Sequence, residues 1–180
     1  TMKDGILWGV MDATLWAGNG ASTRSLTNAA GFKPDFVWIK WRDYVTNHTL
    51  FNSVVGGGAN KALYSSTTQS EASGNADATY GYLSSFDSGG FSVVTGTNGG
   101  VSYTNSGSAY VAWQWQAGQG SSSSNTNGTI TSTVSVNASA GFSVVTYTGN
   151  GAAGATIGHG LGVAPSLIIV KNRSTGSTSW

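Results

Sequence analysis

The carboxyl side chains of this sequence are the groups that could catalyse hydrolysis of a glycosidic bond. That reaction uses two carboxyl groups that flank the scissile bond. The sequence has a single glutamate, Glu71, in a stretch rich in Ser and Thr. Its aspartates include no acid-x-acid pair on a predicted strand: Asp4, Asp12, Asp35, Asp43, Asp77 and Asp87. We therefore predict that the chain is not an enzyme. The alternative, a polysaccharide-degrading enzyme, would need two carboxylates that only the fold brings together.

Residue types that bind metal ions are few. There is no cysteine, and the two histidines lie far apart, His48 at the start of a predicted strand and His159 in the turn-like sequence GHGLG. A zinc site is therefore not expected. Asp87 in FDSGGF could hold a calcium ion together with backbone carbonyls, or it could close a tight turn through its own side chain. We expect no cofactor, with calcium at Asp87 as the alternative.

Two basic residues, Lys40 and Arg42, end the apolar run PDFVWIKWR. They recur as Lys171 and Arg173 in a second copy of the same segment, described below. One interpretation is that they contact a ligand or partner at the tip of a strand. The other is that they are a polar strand end that prevents pairing with a further strand. Both residues are kept as ligand-binding candidates.

Aromatic residues supply the remaining ligand-binding candidates. Trp41 corresponds to Asn172 in the second copy, so its position does not require an apolar side chain. Trp41 is therefore a candidate for a surface position, where its ring could stack on a sugar or be buried in a subunit contact, and a partly covered ring is the alternative. Trp38 and Trp113 are predicted to fill the core. Tyrosines near predicted loops are further candidates for glycan contacts: Tyr80, Tyr82 and Tyr103.

The composition restricts the class of partner. Charged residues are 8% of the sequence and the formal net charge is +1, so no basic surface is available for nucleic acid. No apolar run approaches the roughly 20 residues that span a bilayer, and we predict no membrane insertion. Hydrophobic residues are 39% of the sequence, which is enough to build a core.

The elements that must position these residues are β-strands. Within residues 36–42, even-numbered and odd-numbered side chains face opposite sides, and both faces begin apolar. Further strands are predicted at 48–55, 90–96, 108–118, 128–136, 141–149 and 165–173. Gly- and Asn-rich turns separate them, and 67–78 is predicted as a loop with one short helical turn. This pattern predicts an all-β, antiparallel sandwich or barrel.

An internal repeat divides the chain. Residues 18–42 recur without a gap as 149–173, so that Gly18 matches Gly149. A segment rich in Gly, Ser and Asn, 117–128, is predicted as a linker between a complete module, 1–116, and the start of a second tandem copy, 129–180. Half a sandwich would leave Phe142, Ile168 and Val170 exposed. We expect the natural chain to continue past Trp180. A neighbouring subunit that completes the second copy is the alternative.

Several segments resemble, in order, a domain family of unassigned function. They are GFKPDFVWIKWR, HTLFNSVVGG, LYSSTTQSEA, SFDSGGF and YVAWQWQAG, and the second copy resembles the opening of another member. That family is abundant in predicted structural genes of marine and cyanobacterial tailed phages, often as tandem copies. The resemblance implies a concanavalin-like jelly-roll sandwich in a tail fibre or virion structural protein. The sequence departs from the family at Gly89, where a second acid is common.

These observations together predict a non-enzymatic virion component on the particle surface, a tail fibre or host-adhesion protein. Its expected partners are other virion proteins, further copies of itself, for which a trimer is one arrangement, and a host cell-surface glycan. Recognition is expected in the loops 55–61, 67–78 and 96–107. The alternative is a capsid-decoration or purely architectural protein that binds no external ligand.

Overall fold

A computed structural model of the chain describes residues 10–73, 76–98 and 103–180. Within these ranges the structure is almost entirely β. A single 3-10 turn, Glu71–Ser73, lies in the segment predicted to hold a short helical turn. The strands are β1 (Met11–Ala17), β2 (Thr23–Thr27), β3 (Phe36–Trp41), β4 (Thr49–Asn52), β5 (Tyr82–Asp87), β6 (Gly90–Val94), β7 (Ala109–Trp115), β8 (Ser123–Asn125), β9 (Ser132–Asn137) and β10 (Phe142–Tyr147).

The strands form three antiparallel sheets. The first has the order β1-β7-β3-β4, the second β2-β6-β5 and the third β10-β9-β8. The first two sheets pack face to face as a sandwich. In the first sheet, β7 pairs with β1 along one edge and with β3 along the other, which makes β7 and β3 the central strands. This arrangement confirms the predicted all-β sandwich.

The core lies between the first two sheets and follows from the alternation of side chains along each strand. Val37 and Ile39 of β3 point inward and are completely buried, as are Phe91 and Val93 of β6 on the facing sheet. Aromatic rings fill the space at one end, where Trp16 stacks on Tyr110 at 5.2 Å between ring centroids. Burial of this apolar surface is the main force that holds the sandwich together.

Asp35, directly before β3, connects the third sheet to the sandwich. Its side chain is completely buried. Its five hydrogen-bond donors are the backbone N–H groups of Ala117, Gln119 and Gly120, each at 2.7 Å, and the hydroxyls of Ser53 at 2.5 Å and Ser135 at 2.9 Å. The first residues of the segment predicted as a linker thus donate hydrogen bonds to Asp35. The same segment contains β8, which pairs with β9. The boundaries 1–116, 117–128 and 129–180 stay a prediction.

The predicted strands form with one exception. Segments 48–55, 90–96, 108–118, 128–136 and 141–149 each contain or overlap a strand, whereas 165–173 contains none. The prediction at 165–173 is wrong because a strand also needs a hydrogen-bonded neighbour, and the described part of the chain places none beside this segment. Four strands were not predicted, because Thr, Ser or Asn interrupts the apolar pattern of each: β1, β2, β5 and β8.

The apolar residues 167–170 of the second copy are uncovered, as the repeat predicts. Ile168 is 70% exposed and Val170 is 53% exposed. Phe142 differs from the expectation because its ring packs on Phe36 and Trp115, each at 6.4 Å between centroids.

Among the described residues, no helix has the length and apolarity needed to cross a bilayer.

Candidate functional site

The outer surface of the four-stranded sheet carries aromatic side chains at its centre. The strand register places Trp38 of β3 directly opposite Trp113 of β7. His48, the residue before β4, lies beside Trp38. Alternation along β3 turns Trp38 away from the core because its neighbours Val37 and Ile39 face inward. We call Trp38, Trp113 and His48 the outer aromatic face.

The prediction that Trp38 and Trp113 fill the core is wrong. Both side chains are partly exposed, and neither belongs to the buried cluster between the sheets. The reason is that β3 has two apolar faces and only one of them meets the facing sheet. The third sheet covers the outer surface near Phe36 and Trp115 through Phe142, and it leaves the outer aromatic face partly open to solvent.

The outer aromatic face has a defined geometry. The rings of Trp38 and Trp113 meet edge to face, with centroids 5.9 Å apart and planes at 75°. The ring of His48 also meets Trp38 edge to face, at 5.6 Å and 72°. Beside Trp113, β1 contributes the small, exposed side chain of Ala13.

A hydrogen bond sets the protonation of the histidine. Trp38 Nε1–H donates to His48 Nδ1 at 2.8 Å, so Nδ1 carries no proton and the neutral ring carries its proton on Nε2. Burial lowers the pKa of His48 below its usual value, and the nearby positive charge of Lys40 lowers it further. The site at neutral pH therefore combines two indole rings with a neutral imidazole whose Nε2–H group can donate a hydrogen bond.

Lys40 lies next to this face but its ammonium group has other partners. Nζ donates to the carbonyl of Trp41, to the carbonyl of Tyr44 at 2.9 Å and to the hydroxyl of Thr46 at 3.3 Å. Burial lowers the pKa of Lys40. These contacts close the loop that follows β3. Arg42 is exposed, and its backbone N–H donates to the carbonyl of Ala109.

Trp41 is buried, so the prediction of a surface position is wrong. Its side chain is 5% exposed and belongs to the core cluster. Its ring lies 5.0 Å from that of Tyr44 and 5.9 Å from that of Tyr110. Alternation along the strand places Trp41 on the same face as Val37 and Ile39, which the sequence shows, and packing makes this face the inner one. Asn172 misled the prediction because the second copy lacks the environment that buries Trp41.

The three candidate tyrosines occupy two environments. Tyr80 and Tyr103 contact each other edge to face at 6.0 Å, and Tyr103 is 7% exposed. Tyr82 packs against the core cluster from β5. Of the predicted recognition loops, residues 74, 75 and 99–102 lie outside the described residues. The role of these tyrosines in ligand binding stays a prediction.

The acidic residues considered for calcium binding or catalysis accept hydrogen bonds from neighbouring side chains. Asp87 accepts hydrogen bonds from Ser85 at 2.8 Å and Ser92 at 2.6 Å, within the β5–β6 hairpin. Glu71 accepts two hydrogen bonds from Arg173, at 2.7 and 2.9 Å. Across residues 10–73, 76–98 and 103–180, no group of three His, Cys, Asp or Glu side chains is arranged to hold a metal ion.

Sequence comparison provides the family. A search of curated proteins and a search of solved structures each found no match. A family model described as a domain of unknown function, DUF7483, matches residues 10–180. This match covers both parts of the sandwich and the third sheet. The chain belongs to the DUF7483 domain family.

Proposed function

We propose that this chain is a non-catalytic module of a virus-particle appendage, a tail fibre or host-adhesion protein, and that it binds carbohydrate on the host-cell surface. The outer aromatic face is the observation that carries this proposal. Two tryptophans on central strands of a rigid sheet offer apolar ring surface for the C–H face of a sugar. His48 Nε2–H offers a donor for a hydroxyl group.

The position of the face on the sheet supports recognition without rearrangement. Trp38 and Trp113 lie on directly paired residues of β3 and β7, and the hydrogen bond to His48 restrains the Trp38 ring. A side chain held in this way loses little entropy when a ligand binds. The low content of charged residues also suits a neutral ligand, because a sugar hydroxyl needs no counter-charge.

The resemblance noted in the sequence supports the biological setting. Segments that contain β3 and β4 and overlap β5, β6 and β7 resemble domains of phage structural proteins. An appendage of this kind meets the host outside the cell, where it can contact surface polysaccharide. The proposal places other virion proteins and further copies of the chain, a trimer being one arrangement, among its partners. It assigns no catalytic residue.

A glycan array followed by titration of the strongest hit tests the proposal. We expect binding by the intact chain, and at least about a tenfold loss of affinity on changing Trp113→Ala, equivalent to about 1.4 kcal/mol. Tyr147→Ala is the matched control, because Tyr147 is a 44% exposed aromatic on β10, outside the outer aromatic face. The control should bind as the parent does. An array without a hit, or equal losses in both variants, would overturn the proposal.

An architectural role is the second candidate, and a different observation favours it. Leu167, Ile168, Ile169 and Val170 form an apolar run that is 53–77% exposed. Surface of this kind is typical of a contact with another protein. A capsid-decoration protein would be present in hundreds of copies per particle, and a fibre in a few. Quantitative mass spectrometry of purified particles would distinguish the two.

A further inference from the structure

We infer that residues 167–172 are a sheet strand whose two neighbours are not among the described residues 10–73, 76–98 and 103–180. The partner consists of two strands with the sequence pattern of β7 and β4, each antiparallel to 167–172 and one on each side of it. The internal repeat identifies this partner, because 167–172 corresponds to β3 and β3 lies between β7 and β4. The inference concerns assembly and does not depend on carbohydrate binding.

Burial differs sharply between the two copies of the strand. Val37 and Ile39 of β3 are 0% exposed, whereas their equivalents Ile168 and Val170 are 70% and 53% exposed. The sequence retains large apolar side chains at both positions. In the first copy these side chains belong to the core between the two main sheets. The second copy therefore carries core residues for which the described chain provides no core.

A glycine gives independent support. In the first copy, a Cβ atom on Gly18 would lie 1.5 Å from the carbonyl oxygen of Ser106, so only glycine permits the close approach of that segment. The equivalent residue in the second copy, Gly149, has no atom within 4 Å of its ideal Cβ position. Gly149 thus keeps space for a backbone segment like the one around Ser106, which directly precedes β7.

Local features of the second copy match the first. Gly31 and Gly162 adopt similar left-handed conformations, with φ of 70° and 76°. Ala21 N–H donates to Asn19 Oδ1 at 3.1 Å, and the equivalent Ala152 N–H donates to Asn150 Oδ1 at 3.0 Å. These local features are thus preserved in the second copy, whereas the contacts that bury Val37 and Ile39 depend on segments distant in sequence.

The topology distinguishes this partner from a second copy of the exposed segment. In the first sheet, β7 pairs with β1 and β3 at once. The equivalent of β1 is β10, which lies at the edge of the third sheet. A β7-type strand would pair with β10 and with 167–172 together, and its leading segment would fill the space beside Gly149. Self-pairing of 167–172 in a dimer would account for neither β10 nor Gly149.

The test uses the full chain with a second copy of strands from the first module appended. Residue 180 corresponds to residue 49, so residues 50–116 appended directly after Trp180 continue the repeat in register. Hydrogen exchange read by mass spectrometry would follow the amides of 167–172. We expect on the order of 100-fold slower exchange in the extended chain than in the 180-residue chain. A tail of equal length made of Gly and Ser is the matched control and should leave exchange fast.

A substitution and a peptide keep the test decisive if the extended chain folds poorly. Gly149→Ala should leave the 180-residue chain unchanged and should abolish the added protection in the extended chain. A peptide of residues 108–116, titrated into the intact chain, should shift NMR signals of β10 and 167–172. Unchanged exchange and unchanged spectra would overturn the inference. So would a dimer of the 180-residue chain, detected by light scattering, in which 167–172 is already protected.

Discussion

Replacing Asp35 gives the most direct test of how the third sheet is held. The Asp35→Ala variant removes an acceptor for five hydrogen bonds, three from backbone N–H groups and two from hydroxyls. The N–H group of Ala117 and the hydroxyl of Ser135 belong to buried residues, which are 3% and 1% exposed. Both would lose the acceptor that Asp35 provides, and water cannot reach them to replace it. Each buried donor left unpaired costs about 1–3 kcal/mol. Gln119 and Gly120 are exposed and can bond to water instead.

The expected loss for Asp35→Ala is therefore about 4 kcal/mol in the free energy of unfolding. Asp35→Asn should cost less, about 2 kcal/mol. Its amide can place Oδ1 toward the N–H groups of Ala117 and Gln119 and turn its NH₂ group toward the two hydroxyls, which rotate and accept. The bond from Gly120 N–H is then lost, and the remaining bonds lose the reinforcement that a charged acceptor gives.

Urea unfolding followed by tryptophan fluorescence would measure both variants. Asp87→Asn is the matched control, because Asp87 is bonded only by the hydroxyls of Ser85 and Ser92 among the contacts described, and both can reverse their bonds. We expect the control to change stability by less than about 0.5 kcal/mol. Equal stability of Asp35→Asn and Asp87→Asn would refute the view that the Asp35 carboxylate binds the third sheet to the sandwich.

Two further predictions concern glycine and histidine. Gly18→Ala should lower the free energy of unfolding by about 3 kcal/mol, because its Cβ would overlap the Ser106 carbonyl. Gly149→Ala should change the same free energy by less than about 0.5 kcal/mol, because nothing lies near its Cβ position. Urea unfolding midpoints of the two variants would test this difference. The folded-state pKa of His48 lies below its usual value of 6.5, so the unfolded chain takes up the proton first as the pH falls. Stability from His48 is therefore full above pH 6.5 and is lost as the pH falls through the folded pKa. His48→Asn, which keeps an acceptor for Trp38, should remove this part of the pH dependence, and an unchanged profile would contradict the assignment.

Much of the architecture is predictable from local patterns. The period of two along residues 36–42 gives β3 and its two faces, and Gly-rich turns mark most strand boundaries. The repeat of residues 18–42 at 149–173 predicts that Ile168 and Val170 lack cover, and the structure confirms it. These features are predictable because backbone alternation, turn conformation and sequence identity are all properties of short segments.

The candidate site was not predictable in the same way. Trp38 and Trp41 lie three residues apart on one strand and on opposite faces of it, and the sequence alone does not say which face meets the second sheet. Packing between the two sheets decided it: the face with Val37 and Trp41 is buried, and the face with Trp38 is partly open. Asp35 likewise gained its role only when residues 117–120 came to surround it.

Local residue patterns are enough to predict that this chain forms short antiparallel strands, repeats its first segment and carries little charge. Tertiary structure decided which apolar face became the core, which carboxylate was buried and which strand was left unpaired. The physical reason is that a strand is stable only with its neighbours. Residues 36–41 have β4 and β7 beside them and form a sheet, whereas 167–172, with the same alternation, have no such neighbours among the described residues and do not.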